Sequence, residues 1–275
     1  MTDSFAFVQI LRASESGVSN PRSLHRWRLW GGSLRLPSPI LVRKTEVIIL
    51  DGRLPQCVTL EVLDQYAGVV FRNPQPFTIE SLQRVLSPRG FTVPPSPQSG
   101  FVISIGPLIV ATRADSRVVY EPDVAVLMSN SQSLDRMLET FQLLREVLET
   151  ELLPRWTEML LGAEFSLVAR VTTEAYPLEV VSRFGRSLDL RRFSDLLGEE
   201  AALFSLRVVP ARTAHTRENL KTVSDYYELT IEPQVVNPLS YLCRLFYRNH
   251  DPTRTTDFAA RSHDTLVRAV ELVEE

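Results

Sequence analysis

Residues 131–154 read SQSLDRMLETFQLLREVLETELLP, and this stretch decides the fold class. Leu134, Met137, Leu138, Phe141, Leu144, Leu148 and Leu152 recur three and four apart, which predicts an amphipathic helix with one apolar stripe. Ser131 is the expected cap, and Pro154 ends or kinks the run because its ring removes a helix hydrogen bond. A helix that is apolar on one side needs a surface to cover that side. The stretches just ahead of it, 101–105, 107–112, 117–121 and 124–128, have the length and composition of strands. The expectation is an α+β protein of two layers, a mainly antiparallel sheet packed against a long helix.

Working outward, 46–50 and 57–62 read as strands around an Asp51-Gly52 turn, and 68–72 as another. Thr78 is a good cap for a short helix over 79–86. Beyond the long helix the order recurs. A strand is expected at 165–171, a short element at 179–183, and a helix at 190–197 capped by Asp189 and stopped by Gly198. Strands follow near 202–209, 225–232 and 240–248, and a last helix starts at Thr256 or Asp257 and reaches Val273. A shift of 111 residues lays Val69, Val70 and Arg72 on Val180, Val181 and Arg183, the cap Thr78 on Asp189, and Glu121-Pro122 on Glu232-Pro233. A further shift of 12 lays Leu143, Leu144, Arg145 and Val147 on Leu266, Val267, Arg268 and Val270. The expectation is two tandem pseudo-repeated units, 46–161 and 162–275, behind an arm of residues 1–45. This element order resembles the saddle-shaped sheet of TATA-box-binding proteins, and equally the helix-grip folds that enclose ligands. Such a likeness implies a curved sheet and transfers no function.

The arm opens with a weakly alternating strand at 5–12. His25-Arg26-Trp27-Arg28-Leu29-Trp30, Gly31-Gly32 and 33–36 then predict a β-hairpin, since two glycines supply the positive φ angles of a two-residue turn. Residues 1–45 hold seven basic groups against two acidic ones, a net of +5, while the rest of the chain carries −8 of the formal total of −3. Hence Arg22, Arg26, Trp27, Arg28, Trp30 and Arg35 are the expected partner-binding residues.

Composition excludes several classes. Apolar residues make up 44% and charged residues 23% of 275, which is globular and not disordered. A net charge of −3 excludes a generally basic nucleic-acid coat. Two cysteines, Cys57 and Cys243, exclude a disulfide framework and an all-cysteine zinc site. No apolar run approaches a membrane-spanning helix, and residues 1–16 do not read as a secretory signal, so a cytoplasmic location without membrane or cofactor is expected. Only Lys44 and Lys221 among 30 basic residues are lysine, which we assign to base composition.

Four groups of residues are candidates for chemistry. His250-Asp251 and His263-Asp264 would suit a metal-dependent hydrolase if they converged, because a metal needs three or four ligands. On the last helix, however, His263 falls within an apolar stripe, the place of a core histidine. Cys243 lies in an alternating strand, where a buried and inert thiol is expected, and Cys57 is read the same way. Glu121 and Glu232 each precede a proline at equivalent places and would share a proton or a metal if brought together. Arg183, Arg186, Arg191 and Arg192, near Phe184 and Phe193, are the expected nucleic-acid contacts, read otherwise as a solvated helix entry. No Gly-x-Ser-x-Gly, Gly-x-Gly-x-x-Gly or phosphate-loop pattern is present, and glycine is scarce at 11 residues. The leading expectation is a non-enzymatic interaction or assembly protein that docks a protein partner, or itself, through the basic arm. The alternatives are a nucleic-acid binder that uses the arm and a saddle-like sheet, and a hydrolase that uses the His-Asp pairs.

Overall fold

The structure is a computed structural model that describes residues 6–9, 46–47, 58–73, 76–94, 107–153, 155–186, 188–210 and 226–275. Its elements in chain order are β1 (Ala6–Gln9), β2 (Glu46–Val47), β3 (Thr59–Phe71), α1 (Ile79–Leu86), β4 (Leu108–Arg113), β5 (Ser116–Glu121), β6 (Val126–Asn130), α2 (Leu134–Val147), α3 (Trp156–Met159), β7 (Leu160–Thr172), α4 (Pro177–Gly185), α5 (Arg191–Leu197), β8 (Ser205–Val208), β9 (Tyr226–Pro233), β10 (Ser240–Asn249), α6 (Pro252–Ala260) and α7 (Ser262–Glu274).

The strands form one antiparallel sheet in the order β1-β8-β9-β10-β7-β3-β6-β5-β4, with β2 also pairing β3. The fold is α+β. Its centre is the pairing of β3 with β7, which runs from Thr59↔Thr172 to Phe71↔Leu160. To one side stand β6, β5 and β4; to the other stand β10, β9 and β8. Residues 46–161 and 162–275 therefore share one sheet and one core.

Side-chain alternation divides the sheet into two faces. Leu60, Ala67, Val69 and Phe71 of β3, Ala163, Phe165, Leu167, Ala169 and Val171 of β7, and Tyr241, Cys243 and Leu245 of β10 all join the main apolar cluster. Met137, Phe141, Leu144 and Val147 of α2 and Leu266, Val267 and Val270 of α7 close over it. The expected stripe of the long helix is thus its buried face. The opposite face of the sheet carries Glu61, Asp64, Tyr66, Glu164, Ser166, Arg170, Arg244 and Arg248, interrupted by a small apolar cluster of Val70, Val126 and Met128.

Several expectations are corrected. The two strands expected at 57–62 and 68–72 are one strand, β3, with a bulge between Val62 and Asp64. The polar residues Asp64 and Tyr66 between them point away from α2 and α7, where a central strand tolerates them, while Gln65 faces α7 and meets His263. Val180 and Val181, aligned above with the strand residues Val69 and Val70, lie in α4. β3 and β7, both 13 residues long, begin 101 residues apart, not 111. A pair of valines fits either period, and Pro177 at the first turn selects the helix. The last helix is two, α6 and α7, and Asp251 caps the first by accepting from Thr253 N at 2.8 Å. The cap position of α2 is Ser133, while Ser131 Oγ accepts from Ser133 N at 3.1 Å. The helix then widens into a single π turn, Leu148–Leu152.

The predicted hairpin at 25–36, the strand at 101–105, Cys57 and the turn at Asp51-Gly52 lie outside the described residues, as do Arg22, Arg26, Trp27, Arg28, Trp30 and Arg35. Of the arm, β1 pairs with β8 from Ala6↔Val208 to Gln9↔Ser205, at the edge of the sheet remote from β4. No helix among the described residues is long and apolar enough to cross a membrane.

Candidate functional site

A buried ion pair lies on the face of the sheet opposite α2 and α7. Three neighbouring strands contribute one residue each: Tyr66 from β3, Glu164 from β7 and Arg248 from β10. Register places Glu164 opposite Arg248 on one side and Gly68 on the other, with Tyr66 two residues along β3 from Gly68 on the same face. Glu164 is only 4% exposed. It accepts from Tyr66 Oη at 3.0 Å, from Arg248 Nε at 3.1 Å and from Arg248 Nη2. The Arg248 guanidinium also stands 5.6 Å from the centre of the Phe246 ring.

Burial, then the Glu164 charge beside it, pushes the Tyr66 phenol well above its ordinary range. Burial also raises the carboxyl of Glu121 on β5, helped by Glu164 and Asp123. The carboxylate is thus held by a cation and a phenol that keeps its proton. This arrangement ties three strands together and fills three acceptor positions of the Glu164 carboxylate, one on Oε1 and two on Oε2. Sequence reasoning missed the triad, because its members lie about 80 to 100 residues apart and each looks like an ordinary charged or aromatic strand residue. The only local signal was a glutamate set inside the apolar run 160–171.

The candidates for chemistry are dispersed. Glu121 and Glu232 stand five strand steps apart in the sheet order, about 24 Å along the sheet, so they share neither proton nor metal. Asp251 is engaged as a helix cap, Asp264 is exposed, and His263 Nε2 lies 3.4 Å from Gln65 Oε1 across the α7–β3 contact. Among the described residues no three His, Cys, Asp or Glu side chains gather to hold a metal. Cys243 is fully buried, and its thiol is pushed up to about 12 by burial and by Glu232. A thiolate is the reactive form, so Cys243 is inert at neutral pH. In a Cys57→Ser background, a thiol reagent at neutral pH is expected to leave the native protein unlabelled and to label it once urea is added. Rapid labelling of the native protein would refute this. The same shift makes stability fall as pH rises above about 9, because the unfolded thiol then loses a proton that the folded one keeps.

A different surface is built by the second half of the chain. Arg183, Arg186, Arg191 and Arg192 are all exposed on α4, the turn after it and α5. Interleaved with them are exposed Phe184, Leu188, Phe193 and Leu196, the last 80% exposed. Glu179, Asp189, Asp195, Glu199 and Glu200 are exposed in the same stretch. No residue of α5 is buried. A seven-residue helix has little stability of its own, so something must repay its ordering. Nearby, Tyr176, Leu178, Val235 and Val236 are also exposed.

Apolar residues in the turns of the first half are packed. Phe77, which follows β3 as Tyr176 follows β7, packs between Phe71 and Tyr120 at 5.7 and 5.3 Å. Val124, in the β5–β6 turn, packs on the Val70 cluster. No protein-family model, curated protein or solved structure matches this chain.

Proposed function

We propose that the protein is a non-enzymatic interaction or assembly protein. The observation that carries this reading is α5, an exposed helix with no buried side chain that displays Phe193 and Leu196 among arginines and carboxylates. Contiguous exposed apolar surface rimmed by charge marks docking sites. The basic leader belongs to the same reading. Arg22, Arg26, Trp27, Arg28, Trp30 and Arg35 are its proposed contacts, and the +5 leader beside a −8 body supports attachment to an acidic subunit surface.

We also infer that the two halves arose by duplication. In each, a long strand, helical structure (α1 in the first half, α4 and α5 in the second), three antiparallel strands and a closing helical segment follow in order, and the sheet reads β3-β6-β5-β4 on one side and β7-β10-β9-β8 on the other. Divergence then left one copy closed and the other adhesive.

Nucleic acid is a weaker occupant. Five acidic groups are interspersed with the four arginines of α4–α5, and on the sheet Arg170, Arg207 and Arg248 already pair with Glu61, Glu228 and Glu164. A phosphate backbone would meet repulsion at every second contact.

Light scattering over a range of concentrations tests the reading. The full chain is expected to exceed its monomer mass of 31.2 kDa, and the Phe193→Asp/Leu196→Asp variant to return to it with unchanged circular dichroism. A parent that stays monomeric at every concentration would overturn self-assembly through α5.

A further inference from the structure

Helix α5 carries its charges in the reverse of the usual order. A helix is favoured by acidic groups in its first turn and basic groups in its last, because its free N–H groups lie at one end and its free carbonyls at the other. Three helices of this chain follow that rule, with Glu80 and Arg84 in α1, Asp135 and Arg145 in α2, and Glu179 and Arg183 in α4. In α5, Arg191 and Arg192 open the helix and Asp195 stands in its last turn. Arg186 precedes it, and Glu199 and Glu200 follow the Gly198 stop. Asp189, the one acid at the basic end, accepts from Arg191 N at 3.3 Å. This order works against the dipole of α5 alone. Among the described residues, no ion pair engages Arg186, Arg191, Arg192, Asp195 or Glu200.

The middle of the helix is apolar and accessible. Ser194 marks the side that meets the chain, since its Oγ donates to Leu190 O at 3.3 Å and accepts from Ala201 N at 2.9 Å. Phe193 and Leu196, three residues apart, neighbour each other on the exposed surface. The far end is open as well, because nothing lies within 4 Å of the place where a Cβ on Gly198 would stand.

A surface with a basic end, an apolar middle and an acidic end matches itself when turned end for end. A two-fold axis through the middle of α5 performs that turn, and a contact of this isologous kind closes at two copies. The helix is only about 10 Å long, so the first turn of one copy lies close to the last turn of the other. Each adverse charge then stands beside the opposite end of the facing helix, and what disfavours α5 alone favours the pair.

We propose that α5 pairs antiparallel with α5 of a second copy of this chain. Arg191 and Arg192 of each copy meet Asp195 and Glu200 of the other, and Phe193 and Leu196 pack between them. The proposal rests on the reading of α5 as the docking element, and it names the occupant and the orientation.

Charge reversal in the full chain, read by light scattering, tests this. The parent is expected to reach twice the monomer mass of 31.2 kDa and no more. Arg191→Glu/Arg192→Glu and Asp195→Arg/Glu200→Arg are each expected to weaken association by about a hundredfold, since each sets like charges face to face in its own pair. All four positions are exposed, and each variant gives the end it changes the charge that the helix dipole favours, so unchanged circular dichroism is expected. An equimolar mixture of the two variants is expected to regain the doubled mass, because acids then face arginines at both ends. Variants that associate as the parent does would overturn the proposal, as would a mixture that stays monomeric or a parent that grows beyond two copies. If Phe193→Asp/Leu196→Asp still abolishes assembly in those cases, α5 stands as a docking element and only the antiparallel pairing falls. A parent that is monomeric throughout, or an assembly that neither the apolar nor the charge variants alter, removes both.

Discussion

Arg248→Met is expected to lower the unfolding free energy by about 3–5 kcal/mol, measured by urea denaturation at neutral pH. The cost does not come from the strength of the ion pair. Arg248 and Glu164 retain side-chain exposures of 16% and 5%, so removing the guanidinium strands a desolvated carboxylate beside Tyr66. The substitution keeps the aliphatic stem and its contact area, which isolates the electrostatic part. Replacing the cluster as a set, with Glu164→Leu and Tyr66→Phe added to Arg248→Met, is expected to recover most of the loss, because a buried pair exchanged for apolar groups of similar size is often neutral. A loss under 1 kcal/mol in the single variant would show that water reaches Glu164 and that the cluster is not closed. Tyr66 adds a pH dependence. Its phenol is raised when folded, so the native state holds a proton that the unfolded state releases near pH 10. Stability then falls as pH rises through that value.

Phe165→Ala is expected to cost about 3–5 kcal/mol, the range for deleting a fully buried phenylalanine side chain. Phe165 has no exposed surface, lies opposite Ala67 of β3 and Tyr247 of β10, and meets the Phe258 ring of α6 at 6.4 Å. The sheet around it has little to fill the space, because Ala67 across the strand pair and Ala163 beside it on the same face are already small. Phe165 also lies where the two halves meet. Its loss is therefore expected to move a single transition rather than split it in two, with calorimetric and van't Hoff enthalpies remaining equal. Separate transitions in the variant would mean that the β3–β7 seam does not couple the halves.

Much of the secondary structure was legible. The stripe of α2, the Thr78 cap of α1, the Gly198 stop of α5 and the strands β4, β5, β6, β9 and β10 follow from local periodicity and capping chemistry. The inert Cys243 was legible too, since an alternating strand places it on the apolar side. The errors have two origins. β3 was read as two strands because Asp64 and Tyr66 look like loop residues unless the face opposite the helices is known to accept them. Val180 and Val181 were aligned to a strand because a short apolar pair carries no period of its own.

The sequence by itself determined the α+β class, the buried face of the long helix, the charge contrast between leader and body, and the absence of familiar catalytic patterns, since each depends on neighbours within one or two turns or on simple sums of charge. Only the tertiary structure decided that β3 and β7 join the halves into one sheet, that Tyr66, Glu164 and Arg248 meet, and that Glu121 and Glu232 do not. Those outcomes depend on which strands become neighbours. Strand pairing is chosen by the burial of the whole apolar face at once, and no single segment encodes it.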